Sequence, residues 1–66
     1  MKNNLRVERA RLRLTQQELA QQTGVTRQTI VAIDQGRFNP SVILALKMAR
    51  VFNTSVETLF ELETTD

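Results

Sequence analysis

Two helix starts, at Thr15 and Thr26, stand eleven residues apart with one glycine between them, and little besides a pair of short crossed helices satisfies that spacing. Thr15-Gln16-Gln17-Glu18 is a capping box, in which the threonine hydroxyl accepts a backbone N–H of the new helix and Glu18 reaches back. This helix runs to about Thr23 and stops at Gly24, which takes the left-handed conformation without a Cβ penalty. Val25-Thr26 re-enters helix at once with Thr26 as its N-cap, and the new helix ends before Gly36. Leu19, Val25, Ile30 and Ile33 supply an apolar wedge that fixes the crossing angle, and Ala20 is small enough for the two backbones to approach. Such a unit is the pattern of the helix-turn-helix, whose second helix enters the major groove of DNA.

An ordinary αα-hairpin buried in a bundle shares much of this, so the outward face of the later helix decides. Ile30 and Ile33 point inward, and on the opposite side lie Gln28, Ala32 and Gln35, with Arg27 and Val31 beside them. A bundle helix would carry an apolar face there, and a merely solvated one would more often carry Glu and Lys. Arg27 and Gln28 sit at the N-terminal end, where a recognition helix meets base edges: arginine donates two hydrogen bonds to guanine, and glutamine pairs with adenine. Val31 and Ala32 are small enough for close approach and for contact with a thymine methyl. The face favours DNA reading over the buried hairpin.

The rest of the chain is little interrupted, with one Pro and two Gly, and reads as further helices. The first spans about Asn4 to Arg13, with Leu5, Arg9 and Leu12 on one inward stripe and Ala10 flanking it. Gly36-Arg37-Phe38-Asn39-Pro40 is a loop, with Phe38 read as an anchor over the core. Ser41 caps a fourth helix, Val42 to Phe52, whose late Lys47 and Arg50 suit the helix dipole. Asn53-Thr54 breaks it, and Ser55 caps a short fifth helix, Val56 to Phe60. Glu61 to Asp66 form a tail able to extend as a short C-terminal strand. The expectation is one all-α domain over 1–66, with Leu44, Met48, Phe52 and Phe60 in its core.

Composition narrows the function. The chain holds no Cys and no His, which removes disulfides, the usual zinc sites and histidine general bases. There is no nucleophile–base pair and no phosphate-cradling glycine loop, so an enzyme is a poor reading, and no cofactor or metal is expected. The polar start, Met1-Lys2-Asn3-Asn4, and the lack of a signal peptide or bilayer-length apolar run read as a cytoplasmic chain without membrane partners. The net charge of +2 conceals an asymmetry: residues 1–50 carry +6, and residues 51–66 carry −4. The basic part suits a polyanion and the acidic end should face away from it.

The run from Thr15 to Ala20 and from Gly24 to Ile30, with Ile33-Asp34-Gln35-Gly36-Arg37-Phe38-Asn39-Pro40-Ser41 and Leu44 to Ala49, resembles the Cro/repressor (XRE) family, in a compact bacterial branch of it. The resemblance covers roughly Leu5 to Phe60. It implies a five-helix repressor-like fold, homodimers and palindromic operators. It also implies phosphate contact by Gln16 at the start of the second helix, and base reading by Arg27 and Gln28. Val31 and Ala32 stand where relatives often carry a polar reader. Thr26, Arg37, Asn39 and Ser41 would hold the DNA backbone on either side, with Arg13 the best of the first helix's arginines for that role. Arg6 and Arg11 read as a solvated face. Arg9 and Asp34 fall where relatives carry a partly buried ion pair. Apolar residues left over near the C-terminus, Val56, Leu59 and Leu62, offer a dimer seam. A second reading is an antitoxin-like or protein-docking helix-turn-helix module, although no toxin-binding extension follows the fifth helix.

Overall fold

A computed structural model describes the whole chain, Met1 to Asp66. The first helix, α1 (Leu5–Leu12), follows Asn4 without a side-chain cap. The other four each begin on a hydroxyl. In α2 (Gln16–Thr23) the capping box is complete: Thr15 Oγ1 accepts the Glu18 amide at 3.0 Å, and the Glu18 carboxylate accepts the Thr15 amide at 2.9 Å. Thr26 accepts the Thr29 amide at 3.3 Å ahead of α3 (Arg27–Asp34). Ser41 accepts the Leu44 amide at 3.1 Å ahead of α4 (Val42–Phe52), and Ser55 accepts the Thr58 amide at 3.1 Å ahead of α5 (Val56–Leu59). Gly24 turns the chain out of α2 at φ 77°, where an L side chain would be strained. Arg13 and Asn53 adopt the same left-handed region after α1 and α4.

Twelve apolar residues from every helix form one core around α4, which contributes Leu44, Ala45, Met48, Ala49 and Phe52 and packs against α1, α2 and α5. Leu5, Leu19, Ala20, Ile30, Ile33, Leu59 and Phe60 complete it, with Val25 half-buried at its edge. Thr23 is buried too, its hydroxyl donating to the Leu19 carbonyl at 2.8 Å. The tail does extend: β2 (Phe60–Glu61) pairs antiparallel with β1 (Lys2–Asn3), Lys2 opposite Glu61 and Asn3 opposite Phe60. The polar N-terminal residues are therefore structured. Asn4 donates its amide to the Leu59 carbonyl at 2.8 Å and its Nδ2 to the Thr58 carbonyl at 2.9 Å.

Three expectations are corrected. Leu12 is exposed, because α1 ends there on the left-handed Arg13, leaving Leu5 as its buried apolar residue. Phe38 is 53% exposed and does not cover the core. Leu59 is fully enclosed by its own chain, so it is unavailable to a seam between two chains. Arg6 and Arg11 do lie on the solvated face of α1, and both also bond within the chain. Arg11 Nη2 donates to the Phe52 carbonyl at 2.9 Å, satisfying the C-terminal end of α4, and its Nε donates to Glu8 at 2.6 Å.

The end of α3 is tied to α1 through charge. Asp34 Oδ2 lies 3.5 Å from Arg9 Nη2 and 3.3 Å from Arg6 Nη2, and the Asp34 side chain is 2% exposed. Arg9 Nη1 also donates to the Leu14 carbonyl at 3.2 Å. Asn3 Nδ2 adds a bond to the Ile33 carbonyl at 2.8 Å, so α1 and the strand before it both hold α3. Removing one partner of a buried pair strands the other charge and costs about 3–5 kcal/mol, comparable to the whole stability of a domain this small. Asp34→Ala should therefore lower the thermal midpoint by about 10 °C or more, or abolish the cooperative transition, by circular dichroism. A melt matching wild type would contradict this role.

The capping box makes a pH-dependent contribution. The Thr15 backbone amide, then its hydroxyl, hold the Glu18 carboxyl below its ordinary 4.5. A depressed carboxyl stabilises the fold above its unfolded pKa and loses that contribution as pH falls through its folded pKa. The stability gap between wild type and Glu18→Gln should be constant above about pH 5 and close as pH drops further. A gap independent of pH down to about pH 3 would contradict it.

Candidate nucleic-acid interface

α3 has eight residues, too few to persist as an isolated helix, so its position is imposed by what it buries. Ile30 and Ile33 are enclosed, and α3 packs most extensively on α2, which contributes Leu19 and Ala20 to the same core. With that side fixed, Arg27, Gln28 and Gln35 are exposed, and Val31 and Ala32 are half-exposed. The face on which a recognition role depends is open to solvent.

At the start of this face, Arg27 Nη2 donates to Gln16 Oε1 at 3.3 Å, which joins the N-terminal ends of α2 and α3. The Thr26 and Thr29 hydroxyls lie 3.1 Å apart beside them. At the far end the chain reverses. Gly36, at φ 74°, donates to the Ile33 carbonyl at 2.9 Å, and the Arg37 amide donates to the Ala32 carbonyl at 2.9 Å. This double closure is a Schellman motif. It sends Arg37 and Phe38 back beside α3, where they line a shallow niche with Gln28, Thr29 and Ala32.

The cations divide into two groups. Arg6, Arg9 and Arg11 have carboxylate partners within the chain. Lys2, Arg13, Arg27, Arg37, Lys47 and Arg50 are exposed and have none. Asn39 and Ser41 are exposed in the approach to α4, and the Ser41 hydroxyl, already accepting from Leu44, still has its proton to donate. The fold thus brings Gln16 to Arg27, and Gln28 and Ala32 to Arg37; Arg13 caps the end of α1. Phe38 on this face was not anticipated. The signal was Gly36: a left-handed glycine closing a helix returns the next residues alongside it.

No group of three or more acidic side chains converges to hold a metal, and no helix is long and apolar enough to cross a membrane.

Known proteins share this arrangement. The helix-turn-helix family model matches residues 5–59. An HTH-type transcriptional regulator of Archaeoglobus fulgidus is 50% identical over 60 residues, 91% of this chain and 86% of the relative. The HTH-type transcriptional regulator YgzD of Bacillus subtilis is 44% identical over 63 residues, 96% of each chain. Among solved structures, the restriction-modification controller protein C.AhdI of Aeromonas hydrophila superposes with a TM-score of 0.79 at 30% identity, covering 86% of both chains. The hypothetical transcription factor NHTF from Neisseria superposes at 0.77 with 29% identity, covering 83% of this chain and 62% of that one. With the crossed α2–α3 pair and the open face of α3, these likenesses place the chain in the XRE-type helix-turn-helix family of DNA-binding transcriptional regulators.

Proposed function

We propose that this regulator is a repressor that binds a palindromic operator as a homodimer, with α3 in the major groove. The observation that carries the reading is the two-sided character of α3: Ile30 and Ile33 enclosed, Arg27, Gln28 and Gln35 presented. Arg27 and Gln28 read base edges, and Val31 and Ala32 permit close approach. Gln16 holds a phosphate at the N-terminus of α2, where the helix dipole favours an anion, and orients Arg27 through their hydrogen bond. Thr26, Arg37, Asn39, Ser41 and Arg13 hold the backbone on either side. A dimer seated on its operator acts by occupying DNA and excluding other proteins, which favours repression.

One short helix reads only a few base pairs, and two-fold pairing on half-sites ~34 Å apart is the usual remedy. The seam assigned from sequence needs revision, since Leu59 belongs to the core. Its replacement is the outer face of α4. Val42 and Ile43 are 75% and 68% exposed, and Leu46 leads into a groove with Ala49, Arg50, Val56 and Glu57. A two-fold interface must be self-complementary. This one qualifies, because Arg50 and Glu57 flank the apolar strip without partners in their own chain, and each can meet the other's counterpart across the axis. Exposed Leu62 can extend the seam.

Selection of bound duplexes from a random pool tests the function and should return a two-fold symmetric site. On that site Arg27→Ala should cost ~1–3 kcal/mol and relax base preference, whereas Gln16→Ala should weaken all sequences more evenly. Unchanged base preference in Arg27→Ala would refute the assignment of α3. For the dimer, analytical ultracentrifugation should find wild type associated at about 10 μM and Leu46→Glu monomeric, with operator affinity down by about 10²-fold. Wild type sedimenting as a monomer at about 100 μM would refute the seam.

A further inference from the structure

The niche at the far end of α3 has a composition that phosphate contact does not explain. Arg37 suits a phosphate, but Phe38 beside it is an aromatic ring left half in water, and Ala32 adds its methyl group to the same lining. The ring makes no contribution to the core, so its stability in the free chain gives no reason for its position. Its place comes from the backbone: the Gly36 reversal and the Arg37–Ala32 bond fix the return of the chain alongside α3. The niche adjoins Gln28 and Ala32, residues of the presented face, and so continues the proposed DNA-reading surface past the end of the helix.

A major groove offers one prominent apolar feature, the 5-methyl of thymine, and alanine and phenylalanine side chains are among its natural contacts. We infer that Phe38 is a specificity-determining residue, forming with Ala32 a niche that takes the 5-methyl group of a thymine at the edge of each half-site. This rests on the DNA-reading role of α3 and adds an apolar contact beside the polar side chains of Gln28 and Thr29, which line the same niche. Arg37, lining the same niche, is placed to neutralise a flanking phosphate and to hold the ring against the base.

The probe is the duplex recovered by selection, with each thymine replaced in turn by deoxyuridine, which deletes the methyl and nothing else. Wild type should lose about fourfold in affinity at one position of each half-site, the ratio that burial of one methyl-sized group produces. Phe38→Ala should bind the parent duplex correspondingly more weakly, be indifferent to uracil at that position, and keep the wild-type melting temperature, since the ring is not part of the core. Phe38→Leu should keep part of the discrimination. Several results overturn the inference: no sensitivity to uracil anywhere, a uracil effect undiminished in Phe38→Ala, or a loss in Phe38→Ala that is the same on thymine and uracil duplexes. The last would mean contact with sugar or phosphate. Failure to bind any duplex would overturn the DNA-reading assignment itself, and is distinct from these outcomes.

Discussion

The contact of Ile30 and Ile33 with the core, where Leu19 and Ala20 of α2 also lie, decides whether the rest of this molecule has a function. α3 is two turns long and would not stay helical in water by itself. Its outward residues keep a fixed spacing because the inward ones are enclosed, so the presentation of Arg27, Gln28 and Gln35 follows from apolar burial on the reverse side. Ala20 matters through its size: a larger side chain there would push α3 outward and tilt the face. The arrangement is economical, since twelve buried residues serve both as the core of a small domain and as the mount for a reading surface.

Electrostatics then sorts the arginines. α1 carries three that are ion-paired within the chain, two sharing Asp34 and one on Glu8. Their work is structural: fixing the last residue of α3 and closing the end of α4. Buried Arg9 Nε and Asp34 Oδ1 lack partners, a desolvation cost that reduces what the pair adds to stability, so it serves better to fix one geometry. Arg13, Arg27, Arg37 and Arg50 keep exposed guanidiniums without a carboxylate partner, and the first three are those proposed above to meet DNA. The acidic residues Glu57, Glu61 and Glu63 lie on α5, on β2 and beyond it, elements that are separate in sequence from the helix-turn-helix.

Most of the helical framework could be read from the chain because its punctuation is local. Thr15, Thr26, Ser41 and Ser55 cap where their hydroxyls can reach the next turn, and the observed helices begin one residue after each. Of the contacts distant in sequence, the Arg9–Asp34 pair was legible through the family resemblance, and others were not. The pairing of Lys2–Asn3 with Phe60–Glu61 involves two residues on each side, too short for an alternating pattern to register. Arg11 was indistinguishable from a solvated arginine because its partner, the Phe52 carbonyl, is a backbone group that sequence does not advertise. Leu59 and Leu62 looked alike as apolar residues near the C-terminus, yet one is enclosed and the other open, since α5 turns into β2 between them. The proposed reading residues sit on the one surface where helical periodicity alone determines direction.

The most direct test of the account is a crystal structure of the chain bound to a duplex obtained by selection. It should place α3 along the floor of the major groove, with the Arg27 guanidinium about 2.7–3.2 Å from base-edge acceptors. A complex in which another surface meets the duplex, and the Arg27–Gln28–Gln35 face is turned to solvent, would contradict it.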